Sequence, residues 1–351
     1  MPNSNHLNNG SGKNNYEFPR KVGIVFSDVK REYFPTKAQY QTEKDAKKDA
    51  WVVAKYLEKM NITPLLYSGD ASLPQKLKKD KPDMVINLVD SFKGQEDLSS
   101  VIPAVLELLE IPYTGADILG LSLDTNKFLI KKLLLQNGIP VPNHQLFNTP
   151  YDILDSTLRF PLISKLNGIH GAVEITSDSV SETEKHLRNR LKSLISAYKQ
   201  PILVEEFIVG REVTAILLEG LNKKVYLAEK VFTKPAEKYI FATFEDQWLD
   251  KGYHGFHYAK YNDPVLREYV KRAFDVVKMY DYGKFDIRID QSGRYFFIDS
   301  NCNPAFGPKE LEVAISAILD LYGVTFPEIL KRLLINTVRD SLGKKRLPLP
   351  S

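Results

Sequence analysis

Two aspartates and one asparagine near the C-terminal end of the chain have the types and spacing to bind a metal ion. The alternating sequence around them predicts a β-hairpin with strands Phe285–Asp290 and Tyr295–Ser300, which brings Asp286, Asp299 and Asn301 together. Carboxylate and amide oxygens are hard ligands, the type that Mg²⁺ takes alongside substrate phosphates and water. A surface hairpin with solvated acids is the alternative. It fits less well, because the apolar return strand should be buried and a buried acid needs a partner.

The length and composition of the chain exclude several classes of protein. The chain has 351 residues, of which 43% are hydrophobic, so it should form two or three domains with a sizeable core. Its 48 basic and 44 acidic residues give a net charge of +4, too near balance to indicate a nucleic-acid partner. We find no apolar run near the roughly 18 residues of a membrane span and no signal-peptide pattern, so we expect a cytoplasmic protein without membrane contact. Cys302 is the only cysteine, which excludes disulfides within the chain and fits a reducing compartment.

Strands alternating with helices in the first third of the chain predict a parallel α/β sheet. Residues 1–20 are polar and predict a disordered tail. The predicted elements that follow are the strand Val22–Phe26, the helix Asp45–Met60, the strands Thr63–Tyr67 and Met84–Val89, and a helix from Ser99 to Leu109.

The remainder of the chain predicts two further units that would position the candidate site. A helix over Asp124–Gln136 should carry Leu129, Lys132 and Leu133 on one face. The long stretch Phe232–Lys260 has no sustained period and predicts a lid. The other predicted elements are the strands Pro161–Lys165, Val173–Thr176, Ile202–Phe207 and Val213–Leu218, a helix opened by a capping box of Ser181 and Glu184, a helix capped by Asp263 and begun by Pro264, and helices near Glu310–Tyr322 and Phe326–Val338.

Several weaker signals suggest that a nucleotide binds near the hairpin. Lys127 and Lys165 are placed where lysines can reach phosphates, and the glycine-containing loop after Lys165 lets backbone amides approach an anion. The strand that ends in Glu205-Glu206-Phe207-Ile208, with Glu212 beyond it, could hold an adenine edge and a ribose hydroxyl. Each signal alone has an ordinary structural explanation, namely a solvated lysine, a surface turn or a strand end with exposed acids.

The order and spacing of these motifs resemble those of the ATP-grasp family, in particular D-alanine:D-alanine ligase and related carboxylate–amine ligases. The segments IPYTG at 111–115 and NGIPVPN at 137–143 resemble the same subgroup, and the resemblance covers Lys21 to Val338. It implies an α/β ATP-grasp fold with an N-terminal parallel α/β domain at 21–120. Two α+β subdomains, at 121–200 and 201–340, would sandwich the nucleotide, and 341–351 would be a tail.

The resemblance also implies an activity and a set of site residues. Such enzymes use ATP to phosphorylate a small carboxylate, and an amine then attacks the acylphosphate. Lys284, where the ligases carry an arginine, would be a catalytic cation together with Arg288. Lys127 and Lys165 would bind the ATP phosphates, and Glu212 would bind the ribose. The adenine would be bracketed by the backbone of Glu205, Glu206, Phe207 and Ile208. Mg²⁺, or Mn²⁺ as an alternative ion, would be bound by Asp286, Asp299 and Asn301.

The chain also departs from the ligase pattern. Gly171 and Ala172 stand where the ligases carry a serine pair, and Gln247 and Trp248 align with the lysine and tyrosine of their lid. Asp299 is shorter than the family's metal-binding glutamate. Ala305 replaces a glycine in a segment that does not match the pocket of the dipeptide ligase. These changes favour a substrate other than D-alanine.

Two other functions remain as alternatives. A small-molecule kinase of the same fold would need a basic substrate pocket, to which Arg288, Lys309 and Lys260 could contribute. A nucleotide-binding regulator without catalysis would suit the altered lid, although the intact Asp286, Asp299 and Asn301 argue against it. For the favoured ligase, the expected partners are a small carboxylate and an amine, and a homodimer is common in the resembled family.

Overall fold

The chain folds around three β-sheets that follow one another along the sequence. The computed structural model describes residues 18–220, 222–233, 238–249 and 255–341. The predicted tails at 1–20 and 341–351 lie almost entirely outside these ranges. Within them, no helix is long and apolar enough to cross a membrane.

The first sheet is parallel, as the alternation of strands and helices predicted. Its central strand, Lys21–Ser27, is nearly all buried, because helices cover the faces of the sheet. The strands are β1 (Lys21–Ser27), β2 (Thr63–Gly69) and β3 (Met84–Leu88), in the order β2-β1-β3, and the accompanying helices are α1 (Lys37–Glu43), α2 (Ala46–Lys59), α3 (Leu73–Asp80) and α4 (Val101–Leu108).

The second sheet is antiparallel and is backed by a long helix. That helix buries Leu187, Leu191, Leu194 and Tyr198, which lie along one of its faces. The strands are β4 (His144–Phe147), β5 (Leu162–Leu166), β6 (Val180–Ser181) and β7 (Ile202–Glu206), in the order β4-β7-β5-β6, and the helices in this part of the chain are α5 (Ile118–Asp124), α6 (Lys127–Gln136) and α7 (Glu184–Tyr198). Because β7 belongs to this sheet, we propose that the boundary predicted at 200 lies after β7.

Two predictions about the start of this unit are wrong. The segment 173–176 is a turn rather than a strand, because Ala172 and Glu174 have left-handed φ values of 55° and 65° that an extended strand does not allow. Ser181 does not cap α7, since it lies in β6. The N-cap is Thr183, whose side chain accepts from the amide of His186.

The helix that carries Lys127 also differs from the prediction. It begins at Lys127 rather than Asp124, because Asp124 ends α5 and the Asn126 side chain caps α6 by accepting from the amide of Leu129. Leu129, which was predicted to share one face with Lys132 and Leu133, is 45% exposed. The buried residues of α6 are Lys127, Ile130, Lys131 and Leu134.

The third sheet is antiparallel and contains the predicted hairpin. Its last two strands pair around a turn at residues 291–294, as predicted, with a register shift after Asp286. The strands are β8 (Gly210–Leu218), β9 (Lys224–Phe232), β10 (Phe256–Tyr261), β11 (Tyr282–Asp290) and β12 (Tyr295–Asn301), in the order β10-β9-β8-β11-β12, and the helices are α8 (Phe244–Trp248), α9 (Pro264–Val276), α10 (Ala314–Leu321) and α11 (Phe326–Ser341).

The predicted lid contains more regular structure than its sequence indicated. Residues 244–248 form α8, whose N-cap Thr243 and Asp246 make a reciprocal capping box, and residues 256–261 form the edge strand β10. His254, which the lid prediction included, lies outside the described residues. The helix after the lid begins as predicted, because the Asp263 side chain accepts from the amide of Leu266 and Pro264 occupies the first helical position.

The two faces of the third sheet have different environments, because side chains alternate along a strand. Val213, Ala215 and Leu217 pack against α6 and α9. On the opposite face, Ile216 and Leu218 pack toward the first sheet, α10 and α11. Glu212 and Thr214 share this second face by alternation and lie nearer the start of β8, where charged side chains replace the apolar ones.

Candidate functional site

Adjacent strands of the third sheet place the predicted acidic and basic residues opposite one another. Arg288 pairs with Glu212 across β11 and β8, and the next position on this face pairs Asp286 with Thr214. Asp286 also lies directly opposite Asp299 across β11 and β12. The sheet therefore assembles on one face residues that are more than seventy positions apart in the sequence.

The Asp286 carboxylate accepts three contacts from other side chains. The Thr214 hydroxyl donates to Oδ1 at 2.6 Å, the Lys230 ammonium lies 3.2 Å from the same oxygen, and the Lys284 ammonium lies 2.7 Å from Oδ2. Burial alone would raise the pKa of Asp286, but Lys230 and Lys284 outweigh it and hold the pKa well below its ordinary value. Asp286 is therefore ionised.

Glu212 is held between two cations. Its Oε1 lies 2.7 Å from the Lys230 ammonium and its Oε2 lies 3.4 Å from the Arg288 guanidinium. Arg288 also donates to the carbonyls of Gly210 and Ile240 and stacks over the Phe207 ring at 4.8 Å. Arg288 is thus fixed by the strand ends around it, and its guanidinium is largely engaged inside the protein.

Asp299 faces the first of the predicted phosphate-binding lysines. The Lys127 ammonium lies 3.2 Å from its Oδ1. Burial would raise the pKa of Asp299, but Lys127, His170 and the neighbouring lysines lower it to about 2. Asn301 accepts from the backbone amide of Asn303 through Oδ1, so its amide oxygen is oriented by the turn that follows β12.

A buried carboxylate joins the second predicted lysine to one that sequence reasoning missed. Glu205 is fully buried and lies 2.5 Å from the Lys131 ammonium and 2.6 Å from the Lys165 ammonium. Both ammonium groups also donate to the carbonyl of Ile298 on β12. One carboxylate compensates only one of two cations, and burial lowers the pKa of Lys165 to about 8. The signal for Lys131 was its position one helical turn after Lys127.

The segment predicted to bracket adenine lies at the end of β7. Within it, the amide of Glu206 donates to Asn143 and the amide of Phe207 donates to Pro161. The Glu206 side chain accepts hydrogen bonds from Asn143 Nδ2 and from the backbone amide of Arg159. Ile208 is the first residue beyond these contacts.

The glycine-containing loop contacts both the first sheet's unit and the lid. The His170 imidazole lies 2.7 Å from Glu96 and 3.5 Å from Asp124. Burial would lower the pKa of His170, but these two carboxylates outweigh it and raise the pKa. The Trp248 indole donates to the carbonyl of Gly171 at 2.7 Å. A contact between lid and loop is therefore made by an indole and a backbone carbonyl, in the absence of the ligases' serine pair.

The structure brings most of the predicted site residues into one connected set. Lys127 contacts Asp299, Asp299 lies opposite Asp286, and Lys230 links Asp286 to Glu212. The basic pocket required by the kinase alternative is not assembled from the residues proposed for it. Lys309 pairs with Asp320 on the surface and Lys260 lies over the Tyr322 ring. Sequence reasoning missed Lys230 and Thr214, because no motif includes them and only strand pairing brings them to Asp286.

The donor set fits a divalent cation that is shared with a phosphate group. In the part of the chain that the structure describes, no group of three or more histidine, cysteine, aspartate or glutamate side chains could enclose a metal ion. Asp286 and Asp299 are instead an opposed pair, with Asn301 two residues along β12. Two carboxylates and an amide leave positions for phosphate oxygens and water, which is how proteins commonly bind Mg²⁺.

Comparison with known proteins identifies the class to which this fold and site belong. A family model described as D-ala D-ala ligase C-terminus matches residues 133–335, more than half of the chain. The D-alanine–D-alanine ligase of Aquifex aeolicus is 26% identical over 273 residues, covering 74% of this chain and 85% of that protein. An uncharacterized protein of Sinorhizobium fredii, y4sG, is 29% identical over 270 residues, covering 71% and 76%. The crystal structure of the Bacillus anthracis D-alanine–D-alanine ligase complexed with ATP has a TM-score of 0.69 at 17% identity and covers 92% of this chain and 99% of that chain.

These matches confirm the predicted ATP-grasp fold and the resemblance on which it rested. The protein is an ATP-grasp enzyme of the ATP-dependent, ADP-forming ligase class. More particularly, the chain belongs to the D-alanine–D-alanine ligase family defined by its C-terminal domain.

Proposed function

We propose that the protein is an ATP- and Mg²⁺-dependent ligase that joins a small carboxylate to an amino acid or another amine through an acylphosphate. The observation that carries this proposal is the contact between Lys127 and Asp299 beside the opposed pair of Asp299 and Asp286. It puts a phosphate-binding cation next to two ionised carboxylates. Such an arrangement is suited to stabilising charge as a phosphoryl group moves to an acceptor.

The chain's own residues would divide the work as follows. Lys127 and Lys165 bind the phosphates of ATP and orient its terminal phosphoryl group toward the substrate carboxylate. Ile208 and its neighbours hold the base, and Glu212 holds the ribose. Lys284, which lies beside Asp286, stabilises the oxyanion formed when the amine attacks the acyl carbon, after which phosphate leaves.

Asp286, Asp299 and Asn301 would hold the divalent ion, which neutralises phosphate charge during transfer. The ion and the substrates must reach acids that now contact lysines. Asp299 is about one-third exposed, whereas Asp286 is buried. Asp299 therefore offers the more accessible ligand, and Asp286 would be reached from the same side.

The substrate is proposed to differ from D-alanine. Support comes from residues that differ in type from the ligase pattern at three places around the site. Lys284 replaces an arginine, Trp248 occupies the lid, and Ala305 follows the metal-binding hairpin. A lysine presents a compact charge where an arginine presents a planar fork, so the same carboxylate or oxyanion would be held differently.

Nucleotide affinity is expected to fall as pH rises through about 8. The pKa of Lys165 is lowered by burial to about 8, so the ammonium that binds phosphate is lost above that pH, whereas an ordinary lysine would keep it. Titration calorimetry with ATP at pH 7 and at pH 9.5 should show about a tenfold weaker affinity at the higher pH. Lys165→Arg should flatten this profile, because an arginine stays charged throughout. Parallel profiles for the two proteins would contradict the assignment of Lys165.

The proposed reaction is tested by incubating the protein with ATP, Mg²⁺ and pooled amino acids and small carboxylic acids. Mass spectrometry of the products and a phosphate-release assay should show ADP, phosphate and a condensed product in equal amounts. A phosphorylated small molecule without phosphate release would instead indicate a kinase. Nucleotide binding without turnover of any pool would indicate a regulator. D-alanine supplied alone should give less product than the full pool.

A further inference from the structure

Lys230 lies at the centre of the site although no motif assigns it a role. It is 6% exposed and sits on β9, next to the Val213–Glu229 pair of β8 and β9. Its ammonium lies 2.7 Å from Glu212 and 3.2 Å from Asp286. One cation therefore links the carboxylate proposed for the ribose to the carboxylate proposed for the metal ion.

The two carboxylates do not need Lys230 to avoid an uncompensated buried charge. Glu212 has Arg288 as a second partner at 3.4 Å. Asp286 has Lys284 at 2.7 Å and the Thr214 hydroxyl at 2.6 Å. Without Lys230, two carboxylates would still face two cations. With it, three cations, Lys230, Lys284 and Arg288, lie beside these two carboxylates, and Asp299 lies opposite Asp286 as a third carboxylate.

The Lys230 ammonium lies against Asp286 Oδ1, one of the two oxygens that a divalent ion could bind. An ammonium and a divalent ion near the same oxygen repel each other, and the burial of Lys230 and Asp286 weakens the screening of that repulsion. Phosphate groups would offset this repulsion, because they bring negative charge to the same place. Lys230 would then have a favourable partner in the nucleotide-bound state and an unfavourable neighbour when the metal ion is bound alone.

We propose that Lys230 is a positioning residue that makes metal binding depend on the nucleotide, by competing with a divalent ion for Asp286 until phosphates arrive. The inference rests on the proposed function, since it takes Asp286 to be a metal ligand. It assigns to Lys230 a role distinct from the phosphate binding proposed for Lys127 and Lys165. Its consequence is a low affinity for divalent ions in the free protein and a higher affinity in the nucleotide complex.

The test measures Mn²⁺ binding by electron paramagnetic resonance, with and without a non-hydrolysable ATP analogue. Lys230→Met should bind Mn²⁺ about tenfold more tightly than the wild type in the absence of nucleotide, and the difference should shrink in its presence. Lys230→Arg, which keeps the charge, should behave like the wild type. Lys309→Met removes a lysine from a surface pair with Asp320 and serves as the matched control.

The outcomes separate this inference from the proposed function. Equal or weaker Mn²⁺ binding by Lys230→Met, with wild-type binding intact in the nucleotide complex, would overturn the role of Lys230 alone. Failure of the wild type to bind Mn²⁺ even with nucleotide would instead overturn the metal site itself. Thermal unfolding of each variant checks that the fold is kept. If Lys230→Met does not fold, Lys230→Gln can replace it, because it keeps a donor to Glu212 and removes the charge. We expect the same tighter Mn²⁺ binding from this variant.

Discussion

Asp299→Asn is expected to lower turnover by about a thousandfold or more while leaving the fold intact. The substitution removes the negative charge that faces Lys127 and Asp286 and that would neutralise a metal ion during phosphoryl transfer. An amide occupies nearly the same volume, and the side chain is about one-third exposed, so little packing is lost. Steady-state phosphate release, with circular dichroism and thermal unfolding as checks of the fold, measures the effect.

Asp320→Asn is the matched control for this variant. Asp320 is an exposed acid that pairs with Lys309 on the surface, so the same chemical change there should leave turnover within about twofold of the wild type. Undiminished turnover in Asp299→Asn would show that Asp299 is not a metal ligand. Equal losses in both variants would show that the effect is not specific to the site.

Glu205→Ala is expected to have the largest effect on stability, lowering the free energy of unfolding by about 3–5 kcal/mol. The change leaves the Lys131 and Lys165 ammonium groups buried together without the carboxylate that lies between them. Chemical unfolding monitored by fluorescence measures the loss. The neighbouring Glu206→Ala is the control, because Glu206 is partly exposed and its loss costs only the hydrogen bonds from Asn143 and Arg159.

A double variant distinguishes charge from packing in this prediction. Lys131→Met removes one of the two cations, so Glu205→Ala should cost less in that background than in the wild type. Additive losses would show that Lys131 and Glu205 do not interact energetically. Equal losses for Glu205→Ala and Glu206→Ala in the wild type would likewise contradict the role of the buried carboxylate.

The sheets and the hairpin could be predicted from sequence because their signals are local. β1 is a continuous apolar run, and the hairpin of β11 and β12 alternates around a glycine-containing turn. The buried face of α6 could not be predicted in the same way. It buries Lys127 and Lys131, and a periodicity that counts only apolar residues assigns lysines to the solvent. Their partners, Asp299 and Glu205, lie on distant strands.

Candidate site residues that belong to a sequence motif could be predicted. Those that only strand pairing brings to the site could not. Asp286, Asp299 and Lys165 were predicted from their motifs, whereas Lys230 sits inside a strand whose other residues gave no reason to expect a buried cation. Its contact with Asp286 depends on the order β9-β8-β11, which no short segment encodes. The prediction of a strand at 173–176 was wrong for a different reason. Ala172 and Glu174 have a left-handed backbone conformation, which is seldom expected of those residue types.

Activation of a carboxylate as an acylphosphate can be detected by following an oxygen atom from the carboxylate. The protein is incubated with ATP, Mg²⁺ and a pool of amino acids and carboxylic acids labelled with oxygen-18 in their carboxyl groups. Activation transfers one labelled oxygen from the carboxylate to the departing phosphate, which mass spectrometry detects. We predict that the wild-type protein releases labelled phosphate and that Asp299→Asn does not. ATP consumption that releases only unlabelled phosphate would contradict activation of a carboxylate by this protein.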